Sequence, residues 1–88
     1  MENLKEKVER VIGEALPGAT TGLEDIPLSE KLSGFVIWEE FSGESQRERQ
    51  HTLWNVLRKR LDAEEQLGLS AILTVSPAEI ASLRDENS

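Results

Sequence analysis

The side chains best suited to chemistry are the single histidine and the charged residues around it. Glu48 and His51 form a Glu-x-x-His pair, a spacing that puts both side chains on one face of a helix. Such a pair is half of a carboxylate-bridged di-metal site, which needs a second Glu-x-x-His and further helical carboxylates. The chain has one His and no Cys, so we expect no metal site. If a metal ion were bound, His51 would be its ligand.

No other residues in the sequence indicate an enzyme active site. No Cys or Tyr is present, and no nucleophile or orienting partner is identifiable near His51. The six glycines are scattered, so no phosphate-cradling loop is formed. We expect the protein not to be an enzyme.

The basic residues are concentrated in one segment. Residues 45–62 carry a local charge of +3, although the whole chain carries −7. Helical spacing places Arg47, His51 and Arg58 beside Trp54, and basic and aromatic residues are enriched at binding hot spots. The predicted partner- or nucleic-acid-binding residues are Arg47, Arg49, His51, Trp54, Arg58 and Lys59.

A simpler interpretation of this segment is a solvated helix face. Its charges would then pair locally, for example Glu44 with Arg47 and Arg58 with Asp62.

Capping signals and apolar spacing define the helices. Asn3 with Glu6, and Ser45 with Glu48, form N-terminal capping pairs. Ser76-Pro77-Ala78-Glu79 is a third helix start, which predicts a short helix with Ile80 and Leu83 inward and a frayed tail at 85–88. Residues 62–68 form either a last ragged turn or a short helix capped by Asp62 and Glu65. Pro17-Gly18 ends the first helix, which spans 2–16, and Leu53, Leu57 and Leu61 form the apolar line of the second.

Three strands are predicted, at 19–23, 35–38 and 69–75, with a polar loop at 24–34. The second strand is apolar on both faces. Either Phe35 or Trp38 is therefore exposed, unless a loop covers Trp38.

These elements predict a single α+β domain over residues 1–88, in the order α-β-β-α-β(α). Two long helices pack on one face of a three-stranded sheet. Hydrophobic residues make up 38% of the chain, and the mean hydropathy is −0.42. No apolar run approaches the roughly 20 residues that span a bilayer. We expect a cytoplasmic monomer or weak dimer without membrane contact.

The motif Phe41-x-Gly43-x-Ser45-x-x-x-Arg49, followed by an apolar helix and a last strand ending in Ser-Pro-Ala-Glu, resembles the signature of BolA-like proteins. The resemblance implies a fold similar to type II KH domains. It also implies an adaptor that pairs with monothiol glutaredoxins in iron or redox homeostasis, and for some members a role in transcription regulation.

The resemblance further implies a histidine near the start of the last strand, which helps a partner to ligate a [2Fe–2S] cluster. Here that position falls on Ser70 or, in the other alignment, on Gly68, so cluster sharing is not expected. Where the family has an Arg-His pair, this chain has Arg49-Gln50. His51 therefore lies about 100° round the helix from the position of the family's histidine.

Two hypotheses of function follow. In the first, the basic helix and the edge of the last strand dock a protein such as a monothiol glutaredoxin. In the second, helix 45–62 binds DNA weakly, as in a transcription regulator. The Gly-x-x-Gly clamp of KH domains is absent from the turn at residues 43–46.

Overall fold

The computed structural model describes residues 2–86, with side chains up to Leu83. It confirms the α+β class, the order of the main elements and the three-stranded sheet. The elements are α1 (Leu4–Ala15), β1 (Thr20–Ile26), β2 (Lys31–Ile37), a 3₁₀ turn (Glu39–Phe41), α2 (Gln46–Arg60), α3 (Ala63–Leu67), β3 (Leu69–Val75) and α4 (Pro77–Glu86).

The sheet has the strand order β1-β2-β3, in which β1 and β2 are antiparallel and β2 and β3 are parallel. The parallel pair requires a crossover connection, which α2 and α3 provide. The core lies between one face of the sheet and the two long helices. It includes Val8 and Ile12 of α1, Leu53 and Leu57 of α2, and Val36 of β2. No helix within residues 2–86 is long and apolar enough to cross a membrane.

The helix starts follow their predicted caps. The Asn3 Oδ1 accepts a hydrogen bond from the Glu6 backbone N–H at 2.8 Å. Asp62 and Glu65 form a reciprocal capping box, so residues 62–68 contain the short helix α3 and not a ragged turn.

The prediction of a polar loop at residues 24–34 is wrong. β1 continues to Ile26 and β2 already begins at Lys31, so a tight hairpin turn at residues 27–30 joins them. Apart from Ile26 and the buried Leu32, the added strand residues are polar or glycine, and pairing with the neighbouring strand specifies them better than their own propensity does.

Of the two aromatic residues predicted for the second strand, Phe35 is exposed in β2, whereas Trp38 lies one residue beyond β2 and is covered. The Trp38 side chain is half-buried, its Nε1–H donates to the Pro17 carbonyl at 3.0 Å, and its ring packs edge-on against Phe41 with centroids 5.3 Å apart. Phe35 is 39% exposed and lies over Gly22 on the open face of the sheet.

The last helix starts as predicted but packs differently. Ile80 is half-buried, whereas Leu83, predicted inward, is 53% exposed. The tail predicted to fray includes Asp85 and Glu86, which belong to α4. Its last two residues, 87 and 88, lie outside the described residues.

We predict opposite effects for two glycine substitutions. A Cβ at Gly34 would lie 1.9 Å from the Gly22 carbonyl oxygen, so β1 and β2 can approach only if this position has no side chain. Gly34→Ala should lower the free energy of unfolding by about 3 kcal/mol, the upper end for overpacking.

The matched control is Gly13→Ala, since a Cβ at this α1 position meets nothing within 4 Å. It should raise the free energy of unfolding by about 0.8 kcal/mol through helix propensity. Urea unfolding of both variants measures the difference, and equal effects would contradict the close approach of the two strands.

Candidate partner-binding surface

The turn before α2 fixes the direction of that helix. Phe41 is fully buried and anchors the turn, and Gly43 adopts φ +84°, a left-handed conformation that favours glycine. Ser45 then caps α2, since its Oγ accepts a hydrogen bond from the Glu48 backbone N–H at 3.2 Å. The Glu48 carboxylate accepts from the Ser45 hydroxyl at 3.1 Å, which further orders this first turn.

A row of polar side chains on the inner side of α2 faces β3. The Gln46 Nε2 donates to the Thr74 carbonyl at 3.0 Å, and the Gln50 Nε2 donates to the Ile72 carbonyl at 2.9 Å. The Thr74 hydroxyl donates back to the Gln46 Oε1 at 2.9 Å. Because β3 is an edge strand, these bonds cover backbone carbonyls that a neighbouring strand would otherwise take.

Arg49 belongs to this inner row and is only 6% exposed. Its guanidinium donates to the Glu44 carbonyl at 3.0 Å, the Thr74 carbonyl at 3.3 Å and the Glu79 carboxylate at 2.6 Å. It also lies 6.0 Å from the centroid of the Phe41 ring. The structure thus places this predicted binding residue in the interior, because backbone acceptors from β3 and the preceding turn surround it.

The remaining predicted residues beside Trp54 do form one surface. Arg47, His51 and Arg58 line an open concavity of about 690 Å³ around the half-buried Trp54 ring. The Trp54 Nε1–H donates to the Gln50 Oε1 at 3.2 Å, so the indole is oriented by the inner row. We call these four residues the outer α2 surface.

The local ion pairs expected for a solvated face are not formed. Within residues 2–83, neither Arg47 nor Arg58 has a carboxylate within ion-pair distance. Arg58 instead donates to the Asn55 Oδ1 at 3.1 Å. Glu44 and Glu48 also line the concavity, so its rim carries both signs of charge.

The other two basic residues of the segment lie elsewhere. Lys59 is exposed but does not line the concavity. Arg60 donates to the Glu14 carboxylate of α1 at 3.1 Å. The +3 of the segment is therefore distributed around the helix and not gathered on one side.

The comparisons with solved structures give the fold. BolA1 from Arabidopsis thaliana matches with a TM-score of 0.69 and 20% sequence identity over 90% of this chain and 98% of that protein. A BolA homologue from Coxiella burnetii matches with a TM-score of 0.66 and 18% identity over 92% and 99% of the two chains. This chain has the BolA fold. No protein-family model matches the sequence, and a search of curated proteins gives no match either.

The start of β3 in this BolA fold offers poor ligands for an iron–sulfur cluster. Ser70 is half-buried within a bulge, because Leu69 pairs with Leu32 whereas Ile72 pairs with Gly34. Gly68 has no side chain, and a Cβ there would lie 2.6 Å from the Leu4 Cδ2. No group of three or more His, Cys, Asp or Glu side chains within the described residues is arranged to hold a metal. These residues do not fit a cluster, since iron in such centres is held by thiolate or imidazole.

The hydrogen bonds that join Gln46 and Gln50 of the inner row to β3 were not predicted from the sequence. A signal was present, because the two glutamines are four residues apart and continue the apolar line of α2 toward its N-terminus. Polar residues on the buried side of an amphipathic helix need acceptors or donors inside the protein. Their partners on β3, however, could not be identified from spacing alone.

Hydrogen bonds lower the pKa of the Glu79 carboxyl below its usual value. The main cause is the Ser76 backbone N–H, which donates to it at 2.8 Å, and the Arg49 guanidinium is the second. On the other side of the molecule, the Lys7 ammonium ion, 2.7 Å from the Glu65 carboxylate, lowers the pKa of that group.

We predict that Arg49 contributes to stability through its charged hydrogen bonds. Arg49→Lys retains the charge but cannot reach acceptors in three directions at once. It should lower the free energy of unfolding by about 2 kcal/mol, within the range for hydrogen bonds to charged groups. Arg47→Lys, on the exposed outer surface, should change it by less than about 0.5 kcal/mol. Chemical denaturation of both variants measures this, and equal stabilities would refute the interior role of Arg49.

The Glu79 interactions predict a loss of stability in acid. A carboxyl with a lower pKa in the folded state stabilises the fold above its unfolded value, near 4.5, and this contribution is lost as the pH falls through the folded pKa. Glu79→Gln should therefore be less stable than the original chain at pH 7, with a difference that shrinks below about pH 4.5. Thermal unfolding from pH 7 to pH 3 measures the difference, and a constant value across this range would count against the prediction.

Proposed function

We propose that this chain is a cytoplasmic, non-enzymatic adaptor that docks a protein partner through the outer α2 surface. One observation carries the proposal. Arg10, Arg49 and Arg60 each form an ion pair, whereas Arg47 and Arg58 form none within residues 2–83. In a chain of charge −7, two arginines without carboxylate partners on either side of a half-buried tryptophan are suited to binding an acidic or aromatic partner.

The proposed partner is a monothiol glutaredoxin, as the resemblance to BolA-like proteins suggests. Support comes from the BolA fold and from the position of the surface on the long helix. The interaction proposed here needs no ligand from this chain, since the residues at the start of β3 are Gly68 and Ser70. We therefore propose docking in iron or redox homeostasis without a cluster ligated by this protein.

Weak DNA binding by helix 45–62 remains the alternative, and the arrangement of charges supports it less. Arg49 is buried and Arg60 is paired with Glu14, while Glu44 and Glu48 lie beside Arg47. Non-specific affinity for DNA depends on the number of phosphates neutralised. A steep loss of binding to duplex DNA between low and physiological salt would favour this alternative.

We predict that reversing the charge of Arg47 and Arg58 prevents docking. Arg47→Glu with Arg58→Glu should weaken binding to a monothiol glutaredoxin by at least about 100-fold, since two contacts of about 1.4 kcal/mol each are lost. Lys59→Glu is the matched control, because this exposed residue of α2 lies outside the concavity. The affinity of this variant for the glutaredoxin should stay close to that of the original chain.

NMR titration of the labelled protein with the apo and cluster-loaded glutaredoxin measures this. Docking predicts chemical-shift changes at the outer α2 surface with both the apo and the cluster-loaded glutaredoxin. Unchanged affinity of the double variant would overturn the proposed surface. Binding of the loaded form alone, with His51 signals broadened, would show a replacement ligand and contradict docking without a cluster ligand from this chain.

A further inference from the structure

The hairpin turn between β1 and β2 presents a fully exposed leucine. Leu28 has a left-handed backbone with φ +69°, and Glu30 has φ +58°. The turn is held by the Ser29 N–H and hydroxyl, which both donate to the Ile26 carbonyl at 3.3 and 3.1 Å. A defined turn therefore holds the Leu28 side chain in solvent.

Leucine is an unfavourable residue at this position of a solvent-exposed turn, both because it is apolar and because its backbone is left-handed. Gly and Asn adopt left-handed conformations more readily than Leu does. An exposed leucine also gains nothing from burial in the folded monomer. An unfavourable backbone at an exposed apolar residue points to a function for the side chain.

Two acidic side chains near this tip can pair with the two arginines of the outer α2 surface. Asp25 and Glu30 are exposed, neither forms an ion pair within residues 2–83, and the exposed Lys31 follows Glu30. Arg47 and Arg58 form no ion pair within residues 2–83 either, and they share the rim of the Trp54 concavity with Glu44 and Glu48. The hairpin tip thus has an apolar anchor with two acids and one base beside it, and the outer α2 surface has an aromatic concavity whose rim carries both signs of charge.

We propose that the hairpin tip of one copy of this chain binds the outer α2 surface of a second copy. Leu28 enters the concavity against Trp54, and Asp25 and Glu30 face Arg47 and Arg58. The contact is heterologous, because two different surfaces meet. It is weak, since a turn buries far less area than a stable interface and each copy carries a charge of −7.

This inference rests on the proposed function, because it assigns a competitor to the same surface. A copy whose outer α2 surface holds another copy's hairpin tip has no free surface for the partner. Self-association therefore lowers the fraction of protein able to dock a partner at high concentration.

The test uses sedimentation velocity of the full chain over a concentration series. The original chain should sediment faster as concentration rises. Leu28→Ser should lose this dependence, and so should Arg47→Glu with Arg58→Glu. Leu83→Ser and Lys59→Glu are matched controls, because they alter an exposed leucine and an exposed base outside the two surfaces; both should associate as the original chain does.

Mixing the two variants that do not self-associate tests the proposed contact most directly. Leu28→Ser retains an intact outer α2 surface, and the double arginine variant retains an intact hairpin tip. Their mixture should form a 1:1 complex although neither variant associates alone. No complex in the mixture, no concentration dependence in the original chain, or normal association of Leu28→Ser would each overturn the inference.

The partner titration separates this inference from the proposed function. Leu28→Ser should bind a monothiol glutaredoxin at least as tightly as the original chain does, because its docking surface is intact and has lost its competitor. Partner binding without self-association would overturn the inference alone. Self-association through these surfaces without partner binding would overturn the proposed function alone.

Discussion

The buried Arg49 guanidinium connects the elements that follow β2. Its donors reach the turn before α2, the edge strand β3 and the first turn of α4 through the Glu44 carbonyl, the Thr74 carbonyl and the Glu79 carboxylate. A buried charge is tolerated only where hydrogen bonds replace the lost water. The position of α2 over β3 therefore depends on one acceptor in the turn directly before α2 and on two acceptors 25 and 30 residues further along the chain.

This arrangement gives α2 two sides with different contacts. The inner row covers the Ile72 and Thr74 carbonyls at the edge of β3, so a partner that added a strand there would first have to displace Gln46 and Gln50. Strand addition needs free backbone groups. The outer side is therefore the better-supported place for the proposed docking, since Trp54 is oriented by Gln50 and neither Arg47 nor Arg58 forms an ion pair within residues 2–83. In this proposal, the stability of the fold and the binding of a partner use different side chains of one helix.

Local signals in the sequence predicted the helices well and the hairpin poorly. The caps at Asn3, Ser45 and Ser76 depend on residues three positions apart, so they are visible in sequence. The strand residues 24–26 and 31–34 depend on pairing between β1 and β2, and all of them except Ile26 and Leu32 are polar or glycine, with low strand propensity. The burial of Arg49 was not predicted, for a related reason. Helical spacing gives the side of a residue, but its burial depends on Thr74 and Glu79, which lie 25 and 30 residues further along.

The BolA fold in this chain does not depend on a cluster ligand at the start of β3. That region is shaped by a bulge at Ser70 and by packing of Gly68 against Leu4, while the contacts that hold β3 to α2 lie further along the strand at Ile72 and Thr74. The scaffold is therefore held together without a metal ligand at Gly68 or Ser70. With no imidazole or thiolate at these two positions, the recognition that we propose depends on shape and charge, at the hairpin turn and on the outer side of α2.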